Sequence, residues 1–296
     1  MKLFAPEYYK RFKCIADKCR HSCCVGWEID VDPATLKKYG ELPEESRREI
    51  LDTVELEGGA PHFRLSENER CPHLSETGLC NIITQHGEHL LCDICREHPR
   101  FYNLSKDRVE LGIGAVCEVA AGLILSSENY ADMLPVGDIC GDGELCEFDF
   151  SSERDAVYKI LSERGLPYGE RLEKIEKSYT LPPRDGELAR EIFSSLEYLR
   201  EEDRALFLSA VSGKPCDIKN ETESERALAY FIYRHCGEAD SESDFCVSLS
   251  LSLLLHSLFC ALCARCGIGG EEALRLISEE IEYSEDNIEE IRLSLI

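Results

Sequence analysis

Positive charge is what this 296-residue chain has least of: 33 Lys and Arg stand against 58 Asp and Glu, a formal charge of −25. That balance excludes nucleic-acid binding through a broad basic surface, leaving at most a local patch around Arg96, His98 and Arg100. The acidic excess keeps the chain soluble and would also favour a basic protein substrate. Residues 1–9 lack both an apolar core segment and a small-residue cleavage site, so they do not read as a secretory leader. Internal repeats and low-complexity segments are missing as well. What remains is permissive: a hydrophobic content of 43% supports a buried core, and the length allows one large domain or two ordinary ones.

Cysteine, by contrast, is abundant, with 17 in the chain. A cytoplasmic protein keeps its thiols reduced, so clustered cysteines read as metal-binding or redox-active rather than as a disulfide framework. Cys14, Cys19, Cys23 and Cys24 form a first group in the pattern C-x4-C-x3-C-C, and Cys71, Cys80, Cys92, Cys95 and Cys117 a second. A thiolate site needs about four converging ligands, so the nine thiols could fill two shells. Cys23 and Cys24 have Cα atoms about 3.8 Å apart, and in extended backbone their side chains point to opposite faces. They suit two different sites, or one ligand and one packed thiol. The first group therefore reads better as part of a site completed by the second, and the two segments are expected to meet in space. Zinc suits the C-x2-C pair Cys92 and Cys95, while iron–sulfur clusters tolerate wider separations; spacing leaves both open. Any single member could instead be a small buried apolar residue.

Asp32-Pro33 reads as a helix N-cap with Pro at the first helical position. Short helices are expected over 35–39, 43–51 and 82–85, with a buried Ala-rich helix over 117–126 and strands over 27–31, 62–65 and 109–113. Gly58-Gly59 marks a turn, and the run Gly137 to Gly143 is the clearest linker. Beyond it, apolar residues recur at helical spacing over 152–164, 170–178, 185–199, 201–211, 224–235, 245–266 and 270–282. The expected fold is mainly α: an irregular cysteine-rich metal-binding N-terminal domain with short strands over 1–136, followed by an all-helical domain over 144–296. Phe245 to Ala264 is long enough to raise a membrane question. It carries Ser248, Ser250, Ser252, His256 and Ser257 and lacks a basic flank on its N-terminal side, so it reads as a buried helix. Cys260 and Cys263, part of a C-x2-C-x2-C string ending at Cys266, continue that helix and read as core.

The motifs carry a resemblance. Residues 14–27, C-x2-D-x-C-x3-C-C-x-G-W, resemble the opening motif of the flagellin lysine-N-methylases, the FliB family. Cys71-Pro72-His73-Leu74 with Gly78-Leu79-Cys80-Asn81-Ile82 is similar to the C-P-x-L…G-L-C-x-I element of that family. Cys95-Arg96-Glu97-His98-Pro99-Arg100 resembles its C-R-x-Y-P-R, with His98 in place of Tyr, and Val116-Cys117-Glu118-Val119-Ala120 its S-C-P-E-A without the Pro. Looser similarity continues through Arg171-Leu172, the helix from Tyr230 to His235, and Tyr283-Ser284. A more distant likeness is to the YkgJ-type zinc- or iron-chelating cysteine domain.

The resemblance implies methyl transfer from S-adenosyl-L-methionine to lysine side chains of flagellin, with a [4Fe-4S] cluster held by cysteines. The cysteines matching the pattern are Cys14, Cys19, Cys23, Cys24, Cys71, Cys80, Cys95 and Cys117, while Cys92 falls outside it. Arg96 and Arg100 are the cofactor-binding candidates, through the methyl donor's carboxylate or the cluster's charge, with ordinary salt bridges as the alternative. The histidines at 21, 73, 86, 89 and 98 are more simply surface or hydrogen-bonding residues than ligands. Asp17 is placed to cap the first loop and Trp27 to shield it. Two departures matter. The C-x3-C-x2-C signature of radical enzymes is absent, because Cys24 follows Cys23 at once. The run Val109 to Gly114 only superficially resembles a donor-binding glycine loop, lacking its third glycine; it reads better as the run-in to Cys117. No catalytic residue stands out. The other function class is a non-enzymatic module that chelates zinc or iron.

Overall fold

A computed structural model describes residues 1–56, 59–104, 108–138, 148–213 and 218–296. Gly58 of the expected turn and residues 139–143 of the expected linker fall outside them. The chain runs through β1 (Lys2–Pro6), α1 (Pro33–Gly40), α2 (Glu44–Leu51), β2 (Val54–Glu55), β3 (His62–Phe63), α3 (Asn81–His86), α4 (Asp93–Glu97), β4 (Arg100–Leu104), β5 (Val109–Ile113), α5 (Glu118–Ser126) and β6 (Met133–Asp138). Helices then follow one another: α6 (Phe150–Leu161), α7 (Tyr168–Ser178), α8 (Gly186–Ser195), α9 (Glu201–Val211), α10 (Glu221–His235), α11 (Glu242–Ala261), α12 (Gly270–Ile277) and α13 (Glu285–Ser294). The fold is mainly α, as expected. It forms two compact units, one of Lys13–Pro99 and one of Met1–Phe12 with Arg100–Ile296.

The smaller unit is built from turns and short elements around a core of Ile29, Val31, Tyr39, Ile50, Val54, Phe63, Ile82 and Leu90, with Cys71 and Cys92 buried among them. Its best-defined local signal is Asp32, whose Oδ1 accepts the Thr35 N–H at 2.9 Å and so caps α1. Residues 27–31 form no strand. Asp30 pairs with His62 through a single bridge, and Phe63 N–H donates to the Ile29 carbonyl at 2.9 Å.

The larger unit carries a four-stranded sheet in the order β4-β5-β1-β6. Strand β1 lies parallel to β5 and antiparallel to β6. Every residue of β5 is buried, as in a strand covered on both faces. Gly112 is required there because Phe101, its partner on β4, lies over it: a Cβ at Gly112 would sit 2.1 Å from the Phe101 ring. The space a glycine loop would offer a cofactor is filled by the protein's own ring.

The helical core centres on α10 and α11. The stretch 242–266 has the length and composition to cross a membrane, yet 94% of its apolar window is buried inside the fold, as in the core helix of a soluble protein. Its buried serines are satisfied: Ser252 donates to the Ser248 carbonyl at 2.8 Å, Ser250 to the Pro182 carbonyl at 3.1 Å, and Arg292 donates to Ser248 Oγ at 2.8 Å. Two of the long helical runs end in π-helical turns, Leu262–Cys266 and Ser278–Glu282. Helix α13, absent from the periodicity reading, starts at Ser284, whose side chain accepts the Asn287 N–H at 3.2 Å.

Candidate metal centre

The two cysteine segments meet inside the smaller unit. Val25 pairs with Arg70, Cys71 N–H donates to the Cys24 carbonyl at 2.9 Å, and Gly26 N–H donates to Glu69. A second contact joins the 3-10 turn Ala16–Lys18 to the turn at Gly78. Gly78 has φ +79°, and a Cβ there would lie 3.4 Å from the Asp17 Cα. Asp17 thus packs against the second segment, where the sequence suggested only a cap.

Local folding brings Cys71 and Cys80 together. Leu74 pairs with Cys80, Leu74 N–H donates to the Cys71 carbonyl at 3.0 Å, and Asn81 N–H to the His73 carbonyl at 2.7 Å. The loop between closes on Ser75, whose hydroxyl accepts the Leu79 N–H at 3.0 Å. Cys80 and Cys92 are the N-cap residues of α3 and α4, where free backbone N–H groups favour a thiolate.

Five thiols, those of Cys24, Cys71, Cys80, Cys92 and Cys95, lie within electrostatic reach of one another. Cys92, the one of the nine clustered cysteines outside the family pattern, is among them and is 1% exposed. A hydrogen bond from Cys95 holds the Cys92 thiol below its ordinary range, against burial. The same bond, with burial, pushes Cys95 up. Cys24 is brought down to about 7 by a hydrogen bond from Cys23, again against burial. Burial pushes Cys71 up to about 12 although the His73 N–H points at its sulfur. Cys80 is raised by burial despite N–H groups from Ile83 and Ile82. The adjacent pair lies in a turn rather than in extended backbone, so the two thiols meet instead of facing apart, with Cys24 half-buried against this core and Cys23 exposed.

The surroundings fix these thiols. Tyr39 donates its hydroxyl to the Leu90 carbonyl at 2.8 Å and lies 3.5 Å from Cys92 Sγ. Asp32 Oδ2 accepts the Asp93 N–H at 2.9 Å, so one carboxylate clasps the starts of α1 and α4. Burial works against that charge, but the two N–H groups hold the Asp32 carboxyl below its ordinary range. His73 is 4% exposed, bonded to Thr53 Oγ1 at 3.0 Å, and lowered to about 4 by burial and then by His86. It is a neutral core histidine. Neither Tyr39 nor Asp32 carried a sequence signal for this role; Cys92 did, through its C-x2-C spacing to Cys95.

The remaining candidates lie elsewhere. Cys14 is exposed, its sulfur accepting the Ala16 N–H at 3.4 Å, and Cys19 donates to the His21 carbonyl at 3.3 Å. Cys117 belongs to the larger unit, as the N-cap residue of α5. Arg96 pairs with Asp93 and Glu97 at the surface of the smaller unit. In the larger unit Arg100 donates to Tyr9 Oη at 3.0 Å and lies over the Phe12 ring. The chemistry of the donor set fits a thiolate-bound metal: several thiols share one core, with backbone N–H groups aimed at their sulfurs. Among the described residues, no three His, Cys, Asp or Glu side chains converge at coordination distance.

The lysine-N-methylase of Salmonella typhimurium (strain LT2) is 30% identical to this chain over 127 residues, 41% of this chain and 32% of that protein. That of Salmonella choleraesuis is 29% identical over 127 residues, with the same coverage. The flagellar biosynthetic protein FliU of Salmonella muenchen is 28% identical over 139 residues, 45% of this chain and 80% of that protein. No family model and no solved structure matches. The match thus spans about a third of the length of the lysine-N-methylases. Through these matches the chain is related to the lysine-N-methylases.

Proposed function

We propose that this protein is a lysine N-methyltransferase that acts on a protein substrate, flagellin, in the cytoplasm, using S-adenosyl-L-methionine and a cysteine-ligated [4Fe-4S] cluster. The observation that carries the reading is the 30% identity to a lysine-N-methylase. The name of FliU, a flagellar biosynthetic protein, supports a flagellar substrate. The formal charge of −25 suits a lysine-bearing partner.

Cys24, Cys71, Cys80, Cys92 and Cys95 would hold the cluster, which when bound supplies redox or Lewis-acid chemistry. The residues around them have their own tasks. Tyr39 and Asp32 fix the segment carrying Cys92 and Cys95, and the core of the smaller unit keeps water from the thiols. The resemblance also implies Cys14, Cys19, Cys23 and Cys117 as ligands, of which Cys117 belongs to the larger unit. A second reading, a module that chelates zinc or iron without methyl transfer, is favoured by one observation: the five thiols sit within a compact unit of their own.

The test is anaerobic purification of the full chain with iron, sulfide and zinc analysis, followed by incubation with labelled methyl donor and flagellin. The expected result is a coloured iron- and sulfide-containing protein that labels flagellin lysines. A colourless protein with stoichiometric zinc and no transfer would establish the second reading instead. Within this test, Cys92→Ser should lower metal content at least as far as Cys95→Ser, whereas Cys14→Ser, at an exposed position, should lower it less.

A further inference from the structure

Three residues of the helical half that found no place in the metal centre, Tyr230, Arg234 and His235, converge on one buried carboxylate, with Tyr283 stacked against Arg234. Glu282 ends the π-helical turn Ser278–Glu282 and is 6% exposed. Its Oε2 accepts the Tyr230 hydroxyl at 2.7 Å, and its Oε1 accepts His235 Nε2 at 2.9 Å with Arg234 Nε at 3.6 Å. Arg234 also donates to the Glu282 carbonyl at 3.3 Å. Its guanidinium lies over the Phe101 ring at 4.6 Å and the Tyr283 ring at 5.2 Å. The stack therefore runs from Gly112, which leaves room for Phe101, through Arg234 to Tyr283.

The far end of this network is the turn that presents Cys117. Tyr230 Oη, while donating to Glu282, accepts the Ala115 N–H at 2.9 Å. Ala115 lies in the turn between β5 and α5, which closes through Cys117 N–H on the Gly114 carbonyl at 3.3 Å. A hydroxyl that donates in one direction can accept only from the other, so the carboxylate decides which way Tyr230 faces. Apolar packing alone could join α10 to α12. A buried carboxylate is a costly substitute, and what it adds is direction. Arg234 and His235 offset that cost, holding the Glu282 carboxyl below its ordinary range against its burial.

We propose that Glu282 is the positioning residue for the Cys117 turn: through Tyr230 it fixes the Ala115 amide and so sets where the Cys117 thiol is presented. That Cys117 then serves as a ligand rests on the function proposed above; the positioning does not. The test uses the full chain with Tyr230→Phe, which removes only the hydroxyl, and Glu282→Gln, which keeps an acceptor but removes the charge. Amide hydrogen exchange and the alkylation rate of each thiol are followed by mass spectrometry. The expected result for Tyr230→Phe is a tenfold or greater loss of protection at Ala115 and a matching rise in Cys117 alkylation. Exchange in α11 and alkylation of Cys236 should stay unchanged. Glu282→Gln should fall between Tyr230→Phe and the parent. Unchanged Ala115 exchange and Cys117 alkylation in a folded Tyr230→Phe protein would overturn the inference. Cys117→Ser, assayed for bound metal, tests the ligand reading separately.

Discussion

At the scale of single residues, two glycines show different reasons for the absence of a side chain. Gly112 is extended, and its constraint is the Phe101 ring lying where a Cβ would be. Gly78 is constrained by its backbone, at φ +79°, and by the neighbouring Asp17. A Cβ in the left-handed region costs about 1–2 kcal/mol. Gly78→Ala should therefore destabilise the protein by about that amount, seen as a lowered urea midpoint, and should expose Cys80 to alkylation. Gly78→Asn, better tolerated in this region, should lose less. Equal losses would mean that crowding against Asp17, and not φ, sets the constraint. The Asp32 cap was legible because it is a short-range signal. Tyr39 was not, because its contact with Cys92 spans 53 residues.

At the scale of elements, β5 and α6 are joined by a pair that no local pattern announces. Arg154, 1% exposed, makes a bidentate contact with Glu110, whose side chain is 0% exposed. The Arg154 guanidinium also lies over Tyr233 at 5.3 Å and Tyr158 at 5.9 Å. Arg108 contacts the same carboxylate at 3.0 Å. Arg154→Leu leaves a buried charge with one partially exposed partner, and removing one member of such a pair costs about 3–5 kcal/mol. The measurement is the denaturant midpoint, compared with a double variant, Arg154→Leu with Glu110→Leu. The double variant should recover much of the loss, and failure to recover it would show that the guanidinium acts through its ring contacts. Helix boundaries follow the same division. Helix α9 occupies the range its periodicity gave, while the 185–199 run stops at Ser195 and those over 245–266 and 270–282 finish in π-helical turns. Apolar spacing continues across these breaks, so the sequence pattern could not mark them.

For the whole molecule, the excess of acid is not all at the surface. Glu280 is 2% exposed, accepts the Leu199 N–H at 2.7 Å and faces Asp203 and Arg200. Burial, with the neighbouring Asp203, pushes its carboxyl up from 4.5 to about 7. The folded state thus holds this proton more tightly than the unfolded chain. Its contribution to stability is complete below about pH 4.5 and is lost as pH rises through about 7. Comparing parent with Glu280→Gln isolates the effect, since other groups titrate alike in both. The parent should lose stability relative to the variant across this window, measured as the difference in urea midpoints. A difference constant with pH would show that Glu280 is ionised in the fold throughout.

By itself, the sequence determined the mainly α class, the capped helix at Asp32, the helical succession after residue 150, and a cysteine-rich segment suited to a metal. These rest on caps, turns and apolar spacing, which act over a few residues and are written out contiguously. The tertiary structure decided the sheet order β4-β5-β1-β6, in which residues 2–6 pair with strands more than a hundred residues away. It decided that Cys92 shares one core with Cys24, Cys71, Cys80 and Cys95, and that Glu282 accepts the Tyr230 hydroxyl whose oxygen accepts the Ala115 amide. Each of these depends on which distant groups burial brings together, and spacing along the chain does not encode that distance.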